Sequence, residues 1–141
     1  MPDPEPTKSS GYTLDVVVPP HGHLELTITC LKALYAFTRV PFHLIIVDDS
    51  TDLTPLWLNQ FCKEHDNVTY IHRDGGWKCG NQFFNRALEV CKTPFLATVM
   101  NSIRVEPDWV VGGLQILNSD PKVGVVGFKC LLPLDLIGRT V

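Results

Sequence analysis

Two successive acids, Asp48 and Asp49, close the apolar run HLIIV, and Ser50 and Thr51 follow them. An ionised carboxylate only accepts hydrogen bonds, so an acid at the end of a strand suits a ring N–H or a sugar hydroxyl. Side chains alternate along a strand, which predicts that one acid faces a ligand while the other caps the turn. Further on, Gly75-Gly76-Trp77-Lys78-Cys79-Gly80-Asn81 precedes a helical pattern. Glycines there let backbone approach a diphosphate or ribose closely, and the helix start adds N–H groups and a positive dipole end. Lys78 supplies a point charge for phosphates. Pro19-Pro20-His21-Gly22 makes a loop whose imidazole can stack on a flat base, and Trp77 is a second aromatic candidate. Asn101 and Ser102 offer neutral oxygens, with Arg104 as a further cation.

Several site chemistries are excluded. No G-x-G-x-x-G follows the first apolar run, no G-x-x-x-x-G-K-[ST] is present, and no G-x-S-x-G elbow occurs. A phospho-acceptor receiver domain would place its acidic pair after the first strand, whereas Asp48-Asp49 follows the second. Cys79 in the glycine-rich segment has no neighbouring His or Asp that would make it a nucleophile.

These residues must be held by alternating strands and helices. Leu14–Val18 and Leu44–Val47 read as buried strands, and Val68–Ile71, Phe95–Met100 and Val123–Phe128 as further ones. Helices are expected from Leu24 to Tyr35, from an N-cap at Thr54 to about Cys62, from Gly80 to about Cys91, and over Pro107–Leu117. Continuous apolar strands suit a parallel sheet covered on both faces, an α/β three-layer sandwich with ligands at the strands' carboxyl ends. Pro19–Gly22, Asp48–Asp52, His72–Gly80, Asn101–Arg104 and Lys129 all lie at such ends.

The ordered series DVVVPPHGHLEL, HLIIVDDSTD, HRDGGWKCGNQ, FLATVMNSIRVEPDW and NSDPKVGVVGF resembles the nucleotide-sugar-binding half of family 2 glycosyltransferases. The resemblance runs over about residues 14 to 132 and implies a GT-A fold. It implies a nucleotide site at Pro19, Pro20, His21, Asp48, Asp49, Gly76, Trp77, Lys78, Gly80, Asn101 and Ser102, with Asp48 as reader of the base. It also implies Mn²⁺ or Mg²⁺ beside a nucleoside diphosphate-sugar. The family's metal motif, however, ends in an Asp where this chain has Ile103, so no metal ligand is assigned. Asp74 and Gln82 stand where the family often has Asn. The family's catalytic base and acceptor site lie well beyond the metal motif. With Val141 as the last residue, no catalytic residue is assigned and the acceptor half is expected to be absent.

Composition agrees with a globular domain of this kind. The chain has 141 residues, 45% of them hydrophobic, and a formal net charge of −3 without a basic cluster, which disfavours a nucleic-acid partner. Residues 1–12, acidic and rich in proline, read as a disordered lead to a single domain over 13–141, with no apolar run long enough for a membrane span. Five scattered cysteines without C-x-x-C spacing read as reduced, small core residues of a cytoplasmic protein. The expected function is binding of a nucleotide-sugar donor for inverting glycosyl transfer, in a truncated domain. The partner would be a second copy or a chain supplying the acceptor half. The alternative is a non-catalytic interaction module of the same fold, motivated by the apolar segment Leu131–Ile137.

Overall fold

Every residue of β1 (Leu14–Val18) and β2 (Phe42–Asp48) is buried. Only strands covered on both faces and flanked on both edges bury side chains in this way. In the computed structural model, which describes residues 11–74, 76 and 80–131, these two strands form the centre of a parallel sheet. Their neighbours are β3 (Val68–His72) beside β2 and β4 (Leu96–Thr98) beside β1, giving the order β3-β2-β1-β4. The edge strands are only half-buried. The β2–β3 register sets Asp48 level with His72.

Helices α1 (Leu24–Phe37), α2 (Thr54–Lys63) and α3 (Gly80–Leu88) alternate with the strands. Phe83, Phe84 and Ala87 of α3 pack on Val17, Ile45, Val47 and Ile71, which share one face of the sheet by the two-residue strand period. The alternate residues Val16, Val18, Leu44 and Ile46 are equally buried on the other face. The remaining helices are linked through Tyr35 of α1, whose ring meets Phe42 and Phe61 edge-on. The architecture is the expected α/β sandwich.

Several boundaries differ from the sequence expectation, each for a local reason. Thr54 is not the cap of α2; Leu53 holds that position and Pro55 lies in the first turn. The Thr54 N–H is instead satisfied by the Asp52 carboxylate at 2.8 Å. Helix α3 stops at Leu88 because the next amides turn more tightly, Val90 N–H donating to Ala87 O and Cys91 N–H to Leu88 O. Tyr12, expected within the lead, stacks on His43 with ring centroids 5.7 Å apart. Of the described cysteines only Cys30 is a core residue, and burial pushes its thiol up to about 12. Cys62 and Cys91 are half-buried and Cys130 is exposed.

Contacts divide the chain into two compact units, residues 1–107 and 108–141. In the second, α4 (Trp109–Ser119) starts from Asp108, whose φ is 58°. Phe128 lies edge-on to Trp109 at 5.4 Å and so close to Gly113 that a Cβ there would sit 2.7 Å from its ring. The expected strand over Val123–Phe128 does not form. A strand needs a hydrogen-bonded neighbour; instead Phe128 packs on its own helix and Val125 stays 88% exposed. Among the described residues no helix is long and apolar enough to cross a membrane.

Candidate functional site

At the carboxyl end of β2 the two acids part company. Asp48 is fully buried. Its Oδ1 accepts the Ser50 N–H at 2.8 Å, while Oδ2 accepts the Tyr70 hydroxyl at 2.8 Å and His72 Nδ1 at 2.9 Å. Burial, aided by this carboxylate, pushes the Tyr70 phenol pKa up, so Tyr70 donates rather than ionises. The other ring nitrogen of His72 lies 3.0 Å from Asp74 Oδ1. An imidazole facing carboxylates through both nitrogens carries both protons. Burial opposes that charge, but the bonds to Asp48 and Asp74 outweigh it and the His72 pKa is raised.

Asp49 points the other way, as strand alternation requires. Its Oδ1 lies 2.7 Å from Nδ1 of His21, a side chain 84% exposed at the edge of the loop after β1. That hydrogen bond, and then the carboxylate charge, raise the His21 pKa. The second oxygen of Asp49 lies 3.5 Å from where a Cβ on Gly76 would stand. Gly76 has φ +76°, a conformation that side chains disfavour, so glycine serves both the turn and the approach to Asp49.

The loops are tied to one another through Gly22. Its N–H donates to Ser50 Oγ at 2.7 Å, and its carbonyl accepts Asn101 Nδ2 at 3.2 Å. The same Asn101 nitrogen reaches Thr27 Oγ1 at 3.1 Å. Three strand ends thus converge on one backbone turn, a rigid base for a site.

Between these loops is a cleft of about 210 Å³. Among the residues singled out by sequence, Pro19, Pro20, His21, Asp49 and Gly80 line it, and Gly76 faces Asp49 beside it. Asp48 lies behind the cleft wall with both oxygens engaged, Asn101 is a buried strut, and Ser102 is exposed and does not line the cleft. Trp77 and Lys78, with Gly75 and Cys79, lie outside the described residues. Sequence reasoning missed Phe83 and Met100, which give the cleft apolar walls, and the Tyr70–His72 clamp on Asp48. The clamp's signal was present: Tyr70 and His72 alternate along β3, and His72 is its last residue, level with Asp48.

Residues 15–129 match glycosyl transferase family 2. The chain belongs to that family. No curated protein matches it by sequence. Among solved structures, the mannosyltransferase PcManGT from Pyrobaculum calidifontis, in complex with GDP-Man and Mn²⁺, superposes with a TM-score of 0.70 at 21% identity. That match covers 86% of this chain and 36% of the other. S. aureus TarS 1–349 gives a TM-score of 0.65 at 19% identity, over 75% of this chain and 32% of that one. A complex of the same TarS fragment with UDP-GlcNAc is matched equally well, with a TM-score of 0.65. The fold of this family 2 domain is therefore GT-A, and the chain spans about a third of the length of the structures it matches.

The residues present do not fit the divalent cation seen with the mannosyltransferase. Asn101 directs its amide nitrogen inward, Ser102 is neutral, and Ile103 has no ligand atom. Among the described residues no three His, Cys, Asp or Glu side chains stand close enough to share an ion.

Proposed function

We propose that this family 2 domain binds the nucleotide part of a sugar donor in the cleft at the carboxyl ends of β1 and β2, for inverting glycosyl transfer. The observation that carries the reading is the division of labour at Asp48-Asp49. Asp48 is committed to the scaffold, while Asp49 reaches the cleft beside Pro19, Pro20 and His21. The carboxylate that reads the base or ribose is therefore Asp49, in place of Asp48 as the sequence suggested. A base lying against the two prolines would present its ring N–H to Asp49, and the His21 bond at 2.7 Å holds that carboxylate in place. Phe83 and Met100 supply apolar walls for the base or ribose. Gly76 and Gly80 leave room for backbone contact with ribose or phosphate, with Trp77 and Lys78 on the same segment.

In such a reaction an acceptor hydroxyl attacks the anomeric carbon as the nucleoside diphosphate leaves, and a carboxylate takes the hydroxyl proton. None of the residues named here is assigned that last role. We propose that the acceptor site and its base come from elsewhere: further chain, a second copy, or another protein. The four described cysteines are free thiols, which supports a reducing, cytoplasmic setting. The alternative of a non-catalytic module rests on the segment Leu131–Ile137, of which only Leu131 is described, so nothing here favours it.

Thermal unfolding against UDP, GDP and dTDP tests the proposal, because a ligand that binds the native state raises the midpoint by mass action. A rise with one of them is expected, and its disappearance in Asp49→Ala. No rise with any, for a folded protein, refutes donor binding.

A further inference from the structure

We infer that this cleft takes its nucleoside diphosphate without a resident divalent cation, a reading that rests on the function proposed above. Mn²⁺ and Mg²⁺ are hard ions held by oxygen ligands, at least one or two of them carboxylates. The acids at the strand ends do not form such a set. Asp48 is buried and gives its oxygens to Ser50, Tyr70 and His72. Asp49 reaches the cleft but faces His21 at 2.7 Å. Each carboxylate thus already stands against an imidazole, Asp49 at 2.7 Å from His21 and Asp48 at 2.9 Å from His72, a partner that a dication would have to displace.

The turn after β4 contributes no charge to offset this. Asn101 serves as the strut that joins Gly22 to Thr27. Turning it outward would break both bonds and leave a buried hydroxyl and carbonyl without that donor. Ser102 is neutral, Ile103 presents methyl groups at an accessible position, and the exposed guanidinium of Arg104 follows directly in the chain. Within Asn101–Arg104 the one charged side chain is therefore a cation, the reverse of what a metal ligand set needs. On this reading the charge of the diphosphate is met by hydrogen-bond donors and cationic side chains of the protein in place of an ion.

Isothermal titration of the whole chain with UDP, GDP and dTDP, once in EDTA and once in excess Mn²⁺, separates the outcomes. The expected result is binding of at least one nucleotide with dissociation constants that agree within about threefold between the two buffers. Tightening by about tenfold or more in Mn²⁺ overturns this inference while leaving donor binding intact. Absence of binding in both buffers overturns both.

Discussion

The two ends of the sheet carry similar chemistry put to different ends. At the amino end, Asp15 of β1 and His43 of β2 are both fully buried, 2.7 Å apart, and Thr69 of β3 meets the far ring nitrogen at 2.8 Å. Asp15 also accepts the backbone N–H groups of Lys92 and Thr93. Every partner is internal. Burial holds the His43 pKa down against the pull of Asp15, so the ring is neutral, donating through Nδ1 and accepting the Thr69 hydroxyl at Nε2. At the carboxyl end, Asp48 and His72 repeat the acid–histidine pair on β2 and β3, but His72 reaches the surface and its pKa is raised. One more acid, Asp49, continues into the cleft. A saturated buried network fixes the sheet; a half-open one brings a second carboxylate to the cleft.

Breaking the closed end has the largest expected effect. Asp15→Ala takes the partner from His43 Nδ1 in the core and from the half-buried N–H groups of Lys92 and Thr93, and about 3–5 kcal/mol of stability should be lost in urea titration. Next comes Asp48→Ala, which releases Ser50, Tyr70 and His72 and should cost roughly 2–3 kcal/mol in the same titration. If Asp48→Ala were as stable as the parent but failed to bind nucleotide, the roles given to the two adjacent acids would have to be exchanged.

Asp49→Asn should separate function from stability. Nucleotide affinity measured by titration calorimetry is expected to fall roughly tenfold or more, with stability changed by only about 1 kcal/mol. Gly76→Ala forces a side chain into φ +76° and places a methyl 3.5 Å from Asp49 Oδ2. A loss of about 1–2 kcal/mol is expected, read as a lowered unfolding midpoint.

The smallest effect distinguishes the two histidines by sign. His43 has its folded pKa below 6.5, so its contribution is complete above that value and is lost as pH falls through the folded pKa. His72 has its folded pKa above 6.5, so its contribution is complete below that value and is lost as pH rises through the folded pKa. Unfolding midpoints followed from pH 5 to 9 should show His72→Gln with a reduced alkaline slope, the remainder coming from His21, and an unchanged acid one. Equal slopes in variant and parent would remove His72 from the clamp.

Much of this was legible in the residues. The β-branched run at Leu14–Val18, interrupted only by Asp15, and the unbroken one at Leu44–Val47 suit strands buried on both faces, and the helical patterns between them suit a parallel sheet. With the sheet parallel, ligand chemistry must collect at the carboxyl ends, and Pro19, Pro20, His21, Asp49 and Gly80 do line a cleft there. The strand at Val123–Phe128 failed because apolar composition alone supplies no hydrogen-bonding neighbour, and Phe128 found Trp109 and Gly113 instead.

The composition and order of its segments therefore determined the fold, the family and the end of the sheet at which the cleft lies, since these follow from periodicity and chain direction. Which acid reaches the cleft was decided only in three dimensions. Asp48 and Asp49 are identical in chemistry and adjacent in the chain. Their difference comes from strand alternation and from what β3 and the loop after β1 set beside them: Tyr70 and His72 against one, His21 and an open cleft against the other. Local sequence states which groups are available, but the partners that neutralise, orient or expose them come from strands and loops more than twenty residues away.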